Sequence, residues 1–392
     1  SIYFGGETEE TYLLKEFGGV IFNNIRLYLG INKEDFIKSI SPQDFITELM
    51  ISSQTIFEEL CSTGSSGSLL YYTRDGEFIV KTISRNEYKF MQSMIAEYFF
   101  YIKENPLTYL PKLLGAYVLK RKIKKNTTKI YFIVMSNVFA TDHHIDLRFD
   151  LKGSKIGRKV LRGTTDDTKV FLNGDMALKD LDFNKLKERV HIGQKREIVL
   201  EQIKKDIEFL YSINSNDYSL LLGIHCIKDS EIVTLSRVNT MQSIDCQKDE
   251  LSFLSDITKD FLVSNTPDTE SNISSEKSAV DRINKLRKIN DFEDGGILSE
   301  NKKRIYYFGI IDILTKFSTS KTFEYYIKKL RYCSEDMSCI PPFEYKNRFY
   351  NYLKTVFVEE TLENSSDKND NNNNINKKIQ NVDKYGAISS SI

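Results

Sequence analysis

The sequence predicts an α+β fold built on antiparallel sheets. Three observations carry that reading: a hairpin pattern over residues 64–83, two further strand patterns at 115–119 and 129–135, and two apolar strand runs at 218–224 and 305–315. Helical periodicity flanks and separates them. With 392 residues, the chain can form two or three compact domains or one large two-lobed unit.

The elements follow in order. Residues 9–50 read as helical, since Phe17, Val20, Ile21, Ile25 and Leu29 recur at helix-like spacing. Residues 64–83 change period, with β-rich runs on either side of Asp75-Gly76, a hairpin turn signal. Residues 86–103 return to helical spacing (Phe90, Met94, Ile95, Tyr98, Phe99, Ile102) and stop before Asn105-Pro106. The strands at 115–119 and 129–135 are joined by a basic stretch, 120–129, and 145–159 is again strand-rich. Residues 198–213 form an amphipathic helix with Ile203, Ile207, Leu210 and Tyr211 on one face. Residues 259–301 are polar with few apolar anchors and read as a flexible insert, and the Asn/Asp/Lys tract in 359–392 reads as a disordered tail.

Composition excludes several classes. Lys plus Arg equals Asp plus Glu at 55 each, so net charge points to no partner, and any basic face must be local. Five scattered Cys with no CxxC pair argue against a disulfide framework or a zinc site and fit a reducing compartment. No run approaches the roughly 20 apolar residues of a membrane span. The sequence shows no signal-peptide pattern and starts on Ser, which reads as a piece of a longer protein. The four His (His143, His144, His191, His225) have no ligand spacing and read as structural.

A few residues could do chemistry. Gly64-Ser65-Ser66-Gly67-Ser68, small residues before a strand, suit a loop whose amides approach phosphates; a linker is the bland alternative. Lys81, in an apolar strand, could point into a cleft and hold phosphate oxygens, or simply face solvent on an edge strand. Glu87, one turn into the next helix, is its candidate partner, with Glu97 an alternative. Asp312, read as lying inside a strand, is costly to bury without a cation such as magnesium, although a strand-end turn or an ion pair would also explain it. Asp217 could orient or deprotonate a hydroxyl, or serve only as a turn residue beside Asn214, Ser215 and Asn216.

Taken together and in order, these segments resemble the phosphatidylinositol phosphate kinase family, and more closely its type I branch, the phosphatidylinositol 4-phosphate 5-kinases. The resemblance runs from about residue 17 to 353, through the 64–68 loop, Phe78 to Thr82, Asn105-Pro106 with Thr108, and Val134 to Asn137. It continues through Asp150 to Ser154, Lys179 to Phe183, Asp217 to His225, Tyr307 to Asp312, and Tyr345 with Arg348-Phe349.

The resemblance implies a two-lobed kinase fold with ATP between the lobes. It implies a leader at 1–8, an N-terminal lobe at 9–137, and a C-terminal lobe at 138–358 carrying the 259–301 insert and an activation loop at 313–342. Gly64 to Ser68, Lys81, Met135 and Asn137 would hold ATP. Asp217 would be the catalytic-loop aspartate, Lys152 would lie near the transferred phosphate, and Asp312 would bind Mg2+. Arg158 and Lys179 would contact the phosphate already on the inositol ring. Glu324, with Lys321 nearby, would favour phosphatidylinositol 4-phosphate and its 5-hydroxyl. The partners implied are a phosphoinositide lipid, an anionic membrane surface and a second copy of the chain, with no nucleic acid. The location implied is cytoplasmic, peripheral at the cytosolic face of the plasma membrane.

Departures from the pattern touch substrate contacts more than chemistry. Thr322 follows Lys321 where two lysines are usual, which removes about 1 kcal/mol of attraction to an anionic leaflet. Asn216 replaces the common Met before Asp217, and Ser136 replaces an Asn in the hinge. The alternatives are a phosphatidylinositol 5-phosphate 4-kinase, or a catalytically weak phosphoinositide-binding scaffold. Intact Lys81, Asp217 and Asp312 argue against the scaffold.

Overall fold

The computed structural model describes residues 2–5, 10–40, 68–123, 126–161, 177–228, 290–292, 294–317 and 340–359. Within these residues two sheets form the two lobes. The first has strand order β1-β2-β5-β6-β4-β3, antiparallel throughout. Its strands are β1 (Ile2–Gly5), β2 (Glu10–Phe17), β3 (Leu70–Tyr72), β4 (Phe78–Ile83), β5 (Leu113–Ile123) and β6 (Asn126–Ser136). The second has order β10-β11-β9-β7-β8: β7 (Leu147–Leu151), β8 (Leu178–Lys179), β9 (Ser219–Cys226), β10 (Ile297–Leu298) and β11 (Arg304–Ile311). Only β7 and β8 pair in parallel among these strands.

The first sheet corrects three expectations. Residues 10–17 are strand rather than helix; the helices begin only with α1 (Gly19–Tyr28) and α2 (Lys33–Ile40). The expected leader contains β1, which pairs with β2. The basic stretch is part of the ladder, with Lys120, Arg121 and Lys122 opposite Lys129, Thr128 and Thr127.

The β3–β4 hairpin forms as expected around Asp75-Gly76. Gly76 takes φ 73°, and the Thr73 hydroxyl donates to Asp75 Oδ1 at 2.6 Å. β4 is buried along its length except at Lys81, its one charged residue. Helix α3 (Arg85–Glu104) follows at once, started by a Ser84/Glu87 capping box. Its apolar stripe buries Tyr88, Met91, Met94, Ile95, Tyr98 and Ile102.

In the second lobe, β9 lies at the centre, nearly continuously buried, between β7 and β11. Helices α4 (Asp180–Lys185), α5 (Lys195–Ser212) and α6 (Pro342–Val356) complete it, and α5 packs against α6. Tyr218, Tyr345 and Phe349 join β9 to α6, with the Tyr218 ring edge-on to both at 4.8 and 5.2 Å. Part of the expected flexible insert carries regular structure, since residues 294–301 include β10, while 259–289 and 293 lie outside the described residues.

One buried carboxylate joins the lobes. Asp206 on α5 accepts from Tyr101 Oη at 2.6 Å, Thr108 Oγ1 at 2.6 Å, the Tyr109 amide at 2.8 Å and Gln202 Nε2 at 2.9 Å. Burial raises its pKa, and these donors offset only part of that. Beside it, the Ile310 amide donates to Tyr109 O at 2.7 Å, so β11 is tied to the loop after α3.

Candidate active site

The cleft between the sheets is lined by charges from both lobes. Lys81 enters from β4, and its Nζ lies 2.5 Å from Asp312 Oδ1, a pair 231 residues apart in sequence. Asp312 is not inside a strand as expected. It follows the last residue of β11, in the left-handed region at φ 63°, so both bland readings, a strand-end turn and an ion pair, hold literally. Neither removes the group from the cleft: its side chain is 41% exposed, and its second oxygen has no partner among the described residues.

Glu87 is not the partner of Lys81. Its carboxylate accepts from the Ser84 amide at 2.7 Å, closing the helix cap. The local signal Ser-x-x-Glu at a helix start could have shown this.

Asp217 stands at the mouth of β9, also left-handed, at φ 65°. Its Oδ1 accepts from Lys152 Nζ at 2.9 Å. Lys152 follows β7, and one residue holds its turn in place. Asp180, 2% exposed, accepts from the Lys152 amide at 2.9 Å and the Gly153 amide at 2.7 Å. Gly153 has φ 67°, and a Cβ there would come within 2.8 Å of Tyr352 Cβ, so only glycine fits.

Arg158 lies behind this turn and is 7% exposed. It bonds Asp180 Oδ2 through Nε at 2.6 Å, meets Asp150 Oδ1 at 3.2 Å, and donates to the Asp150 carbonyl. Burial raises the Asp150 pKa, and Arg158 foremost, with Ser219 and Lys152, more than offsets it, leaving the carboxyl below its ordinary value. Arg158 therefore faces inward and is occupied, whereas the expectation had it meeting a substrate phosphate. Lys179, half-buried at the end of β8, has an ammonium without a partner among the described residues.

Met135 is within the ladder, opposite Ile79 and Leu113. The Asn137 amide group is used internally: Nδ2 donates to Gly76 O at 2.8 Å, and Oδ1 accepts from the Phe139 amide at 3.0 Å. Ser68 is exposed before β3. Gly64, Ser65, Ser66 and Gly67 lie outside the described residues, as do Lys321 and Glu324.

Sequence reasoning gave no role to Asp180 and Asp182. Asp182, fully buried, accepts from the amides of Val160 at 2.8 Å and Leu161 at 3.0 Å. Two Asp spaced two apart in the first turn of a short helix were the available signal. Among the described residues no three His, Cys, Asp or Glu side chains cluster as a metal cage. A single half-exposed carboxylate such as Asp312 still suits magnesium, which is commonly held by one or two carboxylates together with phosphate oxygens.

Comparison with known proteins bears on this geometry. The family model described as phosphatidylinositol-4-phosphate 5-kinase matches residues 51–356. A Plasmodium falciparum phosphatidylinositol 4-phosphate 5-kinase is 32% identical over 347 residues, covering 87% of this chain and 18% of the relative. The Schizosaccharomyces pombe phosphatidylinositol 4-phosphate 5-kinase its3 is 29% identical over 364 residues, covering 88% of this chain and 46% of its own length. Phosphatidylinositol 4-phosphate 5-kinase 4 of Arabidopsis thaliana is 30% identical over 352 residues, covering 88% and 42%. The chain thus spans less than half the length of these relatives. A family model matched over most of the sequence, with its charged residues gathered in one cleft, establishes that the chain belongs to the phosphatidylinositol-4-phosphate 5-kinase family.

Proposed function

We propose that this chain is an ATP-dependent lipid kinase that phosphorylates phosphatidylinositol 4-phosphate at the 5-hydroxyl, giving phosphatidylinositol 4,5-bisphosphate. The observation that carries the reading is the meeting of Lys81 with Asp312 across the cleft at 2.5 Å, beside the Lys152–Asp217 pair at 2.9 Å. The names of the relatives support phosphatidylinositol 4-phosphate as the acceptor.

Lys81 would hold α- and β-phosphate oxygens, exchanging its carboxylate partner for phosphate. Asp312 would hold magnesium, which when bound neutralises charge on the phosphate oxygens. Asp217 would align the 5-hydroxyl and accept its proton as the oxygen bonds to the γ-phosphorus and the bond to ADP breaks. Lys152 would keep Asp217 aimed and then face the transferred group. Lys179, whose ammonium has no partner among the described residues, would suit the phosphate already on the ring, while Arg158 would act indirectly, by fixing the wall that carries Lys152. Met135 and the 64–68 loop would border the nucleotide, and Asn137 would brace the β3–β4 turn beneath it. Lys321 and Glu324 would set lipid preference.

Such a reaction takes place at the cytosolic face of a membrane, the plasma membrane by family resemblance. No helix among the described residues is long and apolar enough to cross one, which is compatible with peripheral attachment. A homodimer would follow the family.

The test is transfer of labelled phosphate from ATP to phosphatidylinositol 4-phosphate, phosphatidylinositol 5-phosphate and phosphatidylinositol in mixed liposomes, with Asp312→Asn alongside. Product from the 4-phosphate that disappears in the variant is the expected result. Product chiefly from the 5-phosphate would assign the other specificity. Lipid binding without product would leave a scaffold.

A further inference from the structure

Asp217 needs restraint. A non-glycine residue in the left-handed region costs about 1 kcal/mol and persists only where neighbours hold it. Among the described residues its side chain engages Lys152 alone, so the restraint must come from the flanking residues.

On the far side, Tyr345 Oη donates to the Tyr218 carbonyl. On the near side stands Asn216, fully buried. Its amide N–H donates to Thr315 O at 2.8 Å, and its side-chain Nδ2 donates to Ile340 O at 2.9 Å. Thr315 lies three residues past Asp312, and Ile340 begins the stretch leading into α6. The two bonds run to different segments, and together they fix both the position of residue 216 and the rotation of the peptide leading to Asp217. Ser215 adds a bond from Oγ to Ile313 O at 2.7 Å, and the Phe317 amide donates to Asn214 O at 3.0 Å. These bonds stitch the loop bearing Asp217 to the loop bearing Asp312.

Asn216 Oδ1 is buried without a hydrogen-bond partner among the described residues. A buried polar side chain with half its capacity unmet is costly, so packing alone does not account for an asparagine here. The Nδ2 donor accounts for it.

We infer that Asn216 is a positioning residue for phosphoryl transfer: its side-chain bond to Ile340 holds Asp217 against the acceptor hydroxyl. The inference rests on the kinase reading above. Asn216 touches no substrate and acts through Asp217. Losing the bond leaves the Lys81–Asp312 side of the cleft intact. ATP therefore still binds and reacts slowly with water, while transfer to lipid suffers.

The experiment measures lipid phosphate and ADP formed by the same preparation, for wild type, Asn216→Ala, Asn216→Ser and Asp217→Asn. The ratio of lipid product to ADP is independent of how much protein is folded, so a merely structural loss leaves it unchanged. We expect Asn216→Ala to lower the ratio about tenfold, in the same direction as Asp217→Asn and less far. Asn216→Ser, smaller and polar, serves where the alanine variant folds poorly, and is expected to fall between alanine and wild type. An unchanged ratio in both Asn216 variants, with Asp217→Asn lowering it, overturns this role and leaves the kinase reading standing. A wild-type chain that makes no lipid product refutes both.

Discussion

The two walls of the cleft hold their charges by different means. On the upper wall Lys81 sits inside β4, with Leu70 opposite it on one side and Ile133 on the other, so a continuous backbone ladder fixes its position. On the lower wall Asp217 and Asp312 each stand just outside a strand, at φ 65° and 63°, held by a few side-chain hydrogen bonds from neighbours. A ladder tolerates the loss of any one side chain. A left-handed turn does not, because its stability depends on particular groups. The upper wall should therefore be sensitive only at the charge itself, and the lower wall also at residues with no chemistry of their own.

The largest effect should come from Asp312→Asn. Asparagine accepts the left-handed backbone but carries no charge, so the fold is expected to survive with its melting temperature little changed. Phosphate transfer should fall roughly 10³-fold, as expected when a charged group at the phosphates is lost. Residual transfer above a tenth of wild type would show that this carboxylate is not the metal ligand.

Lys81→Met tests the upper wall. The ladder should keep the strand in register, so stability is expected to hold while kcat/KM for ATP drops about 10²-fold. A large loss of thermal stability would show that the ladder needs the Lys81–Asp312 pair, and the contrast between the walls would fail.

Gly153→Ala probes a lower-wall residue without chemistry. The new Cβ meets Tyr352 at 2.8 Å and the backbone must remain at φ 67°. The cost should be about 2 kcal/mol in urea unfolding, with activity falling further because Lys152 moves away from Asp217. An alanine variant of wild-type stability would mean that the turn has room the contact distance denies.

The smallest effect concerns acid. Burial raises the Asp150 pKa, and Arg158 with Ser219 and Lys152 holds it below its ordinary value of 3.8. A carboxylate depressed in this way stabilises the fold above its unfolded pKa, and that contribution is lost as pH falls through the folded value. Urea unfolding from neutral pH to about pH 3 should show wild type losing more stability than Asp150→Asn over the same range. Parallel curves would remove Asp150 from the acid sensitivity of the lower wall.

The hairpin around Asp75-Gly76, the apolar runs of β4, β9 and β11, and the amphipathic face of α5 were legible because each follows from a short-range period or turn signal. Residues 10–17 were misread as helix because their strand character comes from pairing with β5, about a hundred residues away, and pairing overrides local preference. Lys81, Asp217 and Asp312 could be picked out as costly or well-placed charges. Their partners could not: a Glu three residues after Ser84 competed for the lysine, and its own helix cap claimed it.

The sequence by itself determined the β3–β4 hairpin, the apolar runs of β4, β9 and β11, the balanced charge and the residues able to handle a phosphate. Those properties depend on residue type and near-neighbour spacing. Only the tertiary structure decided that Lys81 meets Asp312, that Arg158 turns inward to Asp150 and Asp180, and that Asn216 secures the residue beside it. Each of these contacts is set by how separate elements pack, and what selects it is the cost of leaving a donor, acceptor or charge unmatched, which is settled only once the chain has folded.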